Sequence, residues 1–293
     1  MAIPVSVRVP ATSANLGPGF DCLGVALDLW ATVTLDSSGR LSDNDPMAAM
    51  ALTAARRVFF ECGDEPPTGL NARHEGDIPI ARGLGASAVA RVGGALAANK
   101  IAGGRLSTKA LLALVTELEG HADNVTPALF GGLQVSVVDR DGVFHVGVPL
   151  PNELQAVLFV PELRMPTKES RKLLPDHISR GDAVYNTGRA ALMVTALAAG
   201  RFDLLDAGTQ DRLHQKRRSK LFPAMFALFE AAKTAGAHCA FLSGGGSTIC
   251  ALATANEQGI ADAMLEAARV RETPGRTIIT RPTVKGAEVI GTK

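Results

Sequence analysis

Apolar and polar positions alternate at the start of the chain. Ile3, Val5, Val7 and Val9 share one face and Ser6 and Arg8 the other, which is the period of a half-buried strand, with Pro10 as its expected end. A polar, Gly-rich stretch follows at 11–21, and residues 23–36 are again rich in strand formers. Residues 46–62 predict a helix: Pro46 suits a first turn, and Ala, Met and Leu propagate it. A short strand is expected at 70–75, and then a Gly-rich loop runs into an Ala-rich helix at 89–98. A second helix fits 107–119, with Ser107 as its N-cap. Residues 121–130 read as a short helical piece, and 133–138 with 143–148 as a hairpin around Asp141-Gly142. Further strands fit 154–160, 237–243, 248–254 and 276–283, and helices fit about 182–199, 220–235 and 257–270. Pro149, Pro151 and Pro161 cluster between the halves, which places a domain boundary near residue 150, dividing the chain into 1–150 and 151–293. Residues 234–256 carry no Asp, Glu, Lys or Arg, yet Gly244, Gly245 and Gly246 interrupt them, so they predict strand, turn and strand rather than a membrane span.

Composition narrows the function class. The chain has 293 residues, 46% apolar, and a formal net charge of +1, which excludes disorder and leaves enough length for two packed domains. The balanced charge supplies no general field for nucleic acid or a membrane, so a small, locally recognised ligand is expected. Four scattered cysteines (Cys22, Cys62, Cys239 and Cys250) without a C-x-x-C pair suggest reduced thiols in a cytoplasmic protein and disfavour a structural zinc site. The first ten residues lack the unbroken apolar core of a secretory leader.

Three segments carry candidate chemistry. In Pro79-Ile-Ala-Arg-Gly83-Leu-Gly85-Ala-Ser87-Ala-Val89, two glycines let backbone N–H groups approach an anion, and the helix that follows adds its positive end. Ser87 offers a hydroxyl to a metal or a phosphate oxygen. Neither the Gly-Lys-Ser/Thr of P-loop NTPases nor G-x-G-x-x-G is present, and an ordinary strand-to-helix turn fits the same residues. The second segment, Glu117-Leu-Glu119-Gly-His121-Ala-Asp123-Asn124, crowds acids and a base at a helix end. Glu119 or Glu117 suits Mg²⁺, and Asp123 and His121 suit a substrate hydroxyl. A solvated acidic turn is the alternative. The third, Phe241-Leu-Ser-Gly-Gly-Gly-Ser-Thr-Ile, has more glycine than a hairpin needs, which a backbone passing close to a ligand would explain; a flexible hairpin is the alternative.

Taken together these loops resemble the GHMP kinases. The family signature Pro-x-x-x-Gly-Leu-Gly-Ser-Ser-Ala corresponds to residues 79–88, and the resemblance runs from about residue 3 to about residue 255. Pro10-Ala-Thr-Ser-Ala-Asn15-Leu-Gly-Pro-Gly-Phe-Asp21 and Glu119-Gly-His121-Ala-Asp123-Asn124-Val-Thr-Pro bring the match nearest to the branch that phosphorylates L-homoserine on the route to threonine. The resemblance implies a mixed α/β, two-lobed fold. Its first lobe presents a phosphate loop (residues 79–89, including Ile80, Ala81, Arg82, Leu84, Ala86 and Ala88) and its second is ferredoxin-like, with the site between them. It implies ATP with Mg²⁺ held by Ser87 and Glu119. Asn15 and Asp21 would hold the amino acid, Thr167 and Arg171 would close on it, and Arg218 would read its carboxylate. His121, Asp123 and Asn124 would place or deprotonate the hydroxyl. Lys216 and Arg217 are expected to be a solvated turn. No nucleic-acid or membrane partner is implied, and a homodimer is compatible with the pattern.

Two departures stand out. Ala86 replaces the first of the family's two serines, and Ser243-Gly-Gly-Gly-Ser-Thr248 replaces Ser-Gly-Ser-Gly-Pro-Thr, which predicts a looser loop. The alternatives are a sister kinase acting on mevalonate, shikimate or a sugar, and a non-catalytic ligand sensor on the same fold. The pairing of Asp21 with Arg218 argues for a zwitterionic substrate.

Overall fold

The computed structural model describes residues 4–37 and 45–292. The first lobe contains β1 (Val5–Ala14), β2 (Leu23–Asp36), α1 (Pro46–Glu61), β3 (Asn71–Gly76), α2 (Ala86–Ile101), α3 (Thr108–Glu119), α4 (Val125–Phe130), β4 (Leu133–Asp139) and β5 (Gly142–Val148). The second contains β6 (Gln155–Pro161), α5 (Thr167–Lys172), α6 (Arg180–Ala198), α7 (Leu205–Gly208), α8 (Gln215–Arg218), α9 (Met225–Thr234), β7 (Cys239–Leu242), β8 (Ile249–Ala253), α10 (Glu257–Val270) and β9 (Gly275–Thr280). The last strand, β10 (Glu288–Thr292), returns to the first lobe and pairs with β1.

Both sheets are antiparallel. The first runs β10-β1-β2-β4-β5, with β3 also on β2. Its alternation is visible in β1, where Val5, Val7 and Val9 are buried and Ser6 and Arg8 are only partly so. Helix α2 lies across β1 and β2 and is covered by α1 and α3, so it is buried on almost every side. Small residues (Ala88, Ala90, Ala95, Ala97 and Ala98) let it sit that close. The second sheet has the order β7-β8-β6-β9. Counted within the lobe this is the ferredoxin-like arrangement, with α9 and α10 packed against the sheet. Val157, Phe159, Met225, Leu228, Leu242, Ile249, Ile260 and Met264 fill that core.

The long periodic elements lie where the pattern predicts them, including the Ser107 cap of α3, and Asp45 caps α1 by accepting from the Met47 N–H. Pro10, however, does not end its strand. β1 continues to Ala14, because the register against β2 shifts between Pro10 and Ala11 and β10 pairs only with Val5–Arg8 on the other side, so no ladder bond needs a proline N–H. Ile3 lies outside the described residues. The helix expected at 220–235 begins at Met225, because the N–H groups of Leu221 and Phe222 fold back on the Arg218 carbonyl and Pro223 has no N–H to extend the turn. The 243–248 loop is not loose. Ser243, Ser247 and Thr248 are buried, Ser243 bonds both Ser13 (2.7 Å) and the Gly83 carbonyl (2.6 Å), and the Gly244 N–H donates to the Ala14 carbonyl (3.0 Å). Among the described residues no helix is long and apolar enough to cross a membrane.

Candidate active site

The loop before α2 is shaped from outside by its carbonyls. The carbonyls of Ala81, Arg82, Gly83 and Leu84 accept from Met165 N–H, Thr248 N–H, Ser243 Oγ and Thr12 N–H respectively. The N–H groups of Gly83 to Ser87 find no acceptor among the described residues, so a row of donors at the N-terminus of α2 is left facing the cleft. The two glycines are required here. Gly83 and Gly85 have φ of +77° and +71°, and a Cβ would collide with the Ser243 carbonyl at one and with Thr12 Oγ1 at the other.

Ser87, in the first turn of α2, donates from Oγ to Glu119 Oε1 at 2.5 Å, and Arg91, one turn further on, pairs with the other Glu119 oxygen. Glu119 ends α3, and Gly120 in a left-handed conformation turns the chain so that His121, Asp123 and Asn124 enter the same cleft. His121 Nδ1 lies 2.5 Å from Asp123 Oδ1, Asn124 Nδ2 donates to that same oxygen at 3.1 Å, and Thr12 Oγ1 donates to Asn124 Oδ1 at 2.7 Å. Burial opposes a charge on His121, but the hydrogen bond and charge of Asp123, with Glu119 beyond, raise its pKa above the ordinary imidazole value.

The other end of the cleft is built by both lobes. Asn15 donates to the Gly244 carbonyl (2.8 Å) and accepts from the Asp21 N–H (3.1 Å). Arg171 of α5 forks onto both oxygens of Asp21, at 2.9 and 2.5 Å. Burial works against the Arg171 charge, but Asp21 outweighs it and the pKa rises. Arg218 is only 1% exposed. Its Nη1 donates to the Gly244 carbonyl (3.0 Å) and to His214 Nδ1 (3.1 Å), while its Nε is buried without a partner. Burial, and then the like charge of Arg171, push Arg218 down to about 10. Phe20 lies near both guanidinium groups, 5.1 Å from Arg171 and 5.3 Å from Arg218.

Apart from Thr12 and His214, the side chains of these residues, with Thr167, line one cavity of about 420 Å³, a volume that suits a small-molecule site. Pro79, Ile80, Ala81, Leu84 and Ala86 line it too. Three residues of the expected phosphate loop do not. Arg82 turns away to bond the carbonyls of Pro161 (2.7 Å) and Glu162 (2.6 Å), and Ala88 and Val89 are fully buried beneath α2. Glu117 is on the surface in an ion pair with Arg57, so of the two acids Glu119 alone reaches the cleft. Lys216 and Arg217 are exposed. Ligand atoms of Asp21, His121 and Asp123 lie within 4.8 Å of one another, and every carboxylate of the cleft already has a basic partner: Asp21 has Arg171, Asp123 has His121 and Glu119 has Arg91. Thr12, Phe20, Arg91 and His214 were not singled out from the sequence. The spacing of Arg91 from Ser87 and of His214 from Arg218 is one helical turn, a signal that was there to read.

A binding loop at a helix N-terminus facing a ferredoxin-like lobe defines a class of small-molecule kinases, and the chain belongs to it. The GHMP kinases N terminal domain matches residues 49–132 and the GHMP kinases C terminal domain matches residues 193–270. Within the family the chain stands with the homoserine kinases. It is 42% identical to the homoserine kinase of Caldicellulosiruptor saccharolyticus over 86% of this chain and 85% of that one. The homoserine kinase of Desulfitobacterium hafniense is 38% identical over 98% of this chain and 100% of its own length. The crystal structure of homoserine kinase from Cytophaga hutchinsonii superposes with a TM-score of 0.88 at 29% identity, covering 99% of this chain and 98% of that one.

Proposed function

We propose that this protein is an ATP-dependent homoserine kinase, transferring the γ-phosphoryl group of ATP to the side-chain hydroxyl of L-homoserine. One observation carries the reading: a row of unpartnered amides and the buried guanidinium of Arg218, which protein groups engage through Nη1 alone among the described residues, line the same cavity. The amides suit a polyphosphate. The remaining N–H groups of Arg218 suit a carboxylate, which accepts a guanidinium fork in the plane. Asp21, already paired with Arg171, is the acceptor for the substrate ammonium, with Asn15 setting its place and Thr167 beside it. Mevalonate, shikimate and sugars lack that zwitterion.

Ser87 and Glu119 offer the hard oxygens that Mg²⁺ prefers, and they fit such an ion. When bound with ATP, Mg²⁺ neutralises charge on the β- and γ-phosphates. The rest belongs to side chains. Asp123 Oδ1 already accepts from His121 and Asn124, so Oδ2 is the free oxygen toward the hydroxyl among the described residues. As the new O–P bond forms, the bond to the β–γ bridging oxygen breaks and that oxygen leaves on ADP with the electron pair, while the hydroxyl proton can pass to Asp123 Oδ2. Phosphoryl transfer has a loose transition state, so holding the hydroxyl in line does more than removing its proton. The buried thiols of Cys239 and Cys250 suit the reducing cytoplasm.

The test is ADP release by the purified protein with ATP, Mg²⁺ and a panel of homoserine, mevalonate, shikimate and galactose. Homoserine-dependent release is expected. Release with another alcohol only, or none with homoserine, overturns the reading.

A further inference from the structure

Arg218 reaches the cleft from α8, a helix too short to hold so large a buried cation by itself. Behind it lies a polar cluster that none of the steps above uses. His214 is fully buried, and its two ring nitrogens face different partners. Nδ1 is 3.1 Å from Arg218 Nη1, which can only donate, so Nδ1 must be the accepting nitrogen. Nε2 then carries the proton and donates to the Gly17 carbonyl at 2.6 Å, across to the first lobe. Burial pushes His214 down to about 4, with Arg218 adding to the effect against the charge of Asp211. The imidazole is therefore neutral and fixed in one tautomer.

The cluster is itself anchored. Both Asp211 oxygens are saturated: Oδ1 accepts from Asn186 Nδ2 and the Leu213 N–H, and Oδ2 accepts from the N–H groups of His214 and Gln215. Gln215 Oε1 in turn accepts from the Leu242 N–H, which ties α8 to β7. The backbone of His214 is thus pinned by the second lobe and its ring by the first.

We propose that His214 is a positioning residue for substrate carboxylate recognition: by accepting from Nη1 alone, it holds the Arg218 guanidinium by one nitrogen and leaves the others for the substrate. The Gly244 carbonyl bonds the same Nη1, so among the described residues no protein acceptor engages Nη2 or Nε. The bond to Gly17 couples that orientation to the loop between β1 and β2, which also carries Asn15 and Asp21. The proposal rests on the homoserine kinase reading and names the residue that sets the arginine for it.

Two substitutions split the roles of the ring. In H214N the amide oxygen can stand near the place of Nδ1 and accept from Arg218. In H214Q the amide reaches toward the place of Nε2 and can donate to Gly17, but the acceptor for Arg218 is lost. Kinetics are compared on L-homoserine and on 3-aminopropan-1-ol, which keeps the ammonium and the hydroxyl but has no carboxylate. H214Q is expected to raise KM for homoserine about tenfold or more, leaving KM for ATP and kcat/KM for 3-aminopropan-1-ol within about twofold of the parent. H214N is expected to recover most of the loss. Equal damage from both variants, or equal losses on both substrates, overturns the positioning role while leaving the kinase reading intact. A parent protein that does not turn over homoserine overturns both. Nitrogen-15 NMR of the imidazoles in the unsubstituted protein needs no variant to fold. His214 should stay in the Nε2–H form between about pH 6 and 9, and an Nδ1–H form refutes the proposal.

Discussion

Replacing Arg218 by Met keeps a long apolar stem in place and removes the guanidinium. Arg218 is 1% exposed, so an ion pair it makes with a substrate carboxylate is a buried one on the protein's side. Truncating one partner of a buried, hydrogen-bonded charge pair costs ~2–5 kcal/mol. At about 1.4 kcal/mol per tenfold, that is a rise in KM for homoserine of ~30-fold to several thousand-fold. Arg171 is close enough to push on Arg218 electrostatically, and it remains after the substitution, so the lower part of that range, about 100-fold, is expected. The amides of residues 83–87 are untouched, so KM for ATP should move less than about threefold.

The same variant carries a second, independent expectation. Arg218 is pushed from 12.5 to about 10, so in the unliganded fold its charge is held at a cost. For a base with a depressed pKa the cost is present at every pH below the folded value, here the whole usable range. It amounts to about 3 kcal/mol at 1.4 kcal/mol per pKa unit. The bonds to His214 and Gly244 offset roughly that much. R218M should therefore melt within a few degrees of the parent, unlike most substitutions at fully buried positions. Steady-state ADP release against each substrate, with thermal melts in the absence of ligand, reads both. A parallel rise in both KM values, or a homoserine KM that moves less than about threefold, would refute the carboxylate role.

S87A removes the hydroxyl that bonds Glu119, so KM for Mg²⁺–ATP should rise about tenfold while calorimetric homoserine affinity stays unchanged; unaltered use of ATP would contradict the placement. The pKa of His121 is raised in the folded state, so its pairing with Asp123 stabilises fully below the ordinary imidazole value of about 6.5 and is lost as pH rises through the folded value. The melting-temperature gap between the parent and H121N should accordingly be wider at pH 6 than at pH 9, and an equal gap at both would show the pair contributes nothing. R82A should lower stability by about 1 kcal/mol by cutting the bonds to Pro161 and Glu162, with KM for ATP unchanged; a large ATP effect would put Arg82 back among the nucleotide-contacting groups.

What could be read from the chain follows the length over which a pattern repeats. Elements such as β2, α1 and α10 span several periods, and their limits fall within a residue or two of the pattern. Helices α5, α7 and α8 are six, four and four residues long, too short to show a 3.6-residue repeat, yet α5 and α8 carry Arg171 and Arg218. Those two arginines were found through motif resemblance, because no local periodicity marks them. β10 was missed for a different reason: its partner is β1, at the other end of the chain, and nothing local to residues 288–292 reports that pairing.

Within the site, the limit is direction. Glu117 and Glu119 are two residues apart on one helix, so their side chains point about 200° apart at 100° per residue. Either could face a metal until the packing of α3 turns one toward Ser87 and leaves the other to Arg57. His214 shows the same limit across lobes. Its spacing from Arg218 is local, but its tautomer is set by the carbonyl of Gly17, nearly two hundred residues away along the chain. Sequence spacing can therefore nominate an arginine for a carboxylate. Which nitrogens of that arginine are already taken, and so which remain for a substrate, is decided only where α8 meets the loop between β1 and β2.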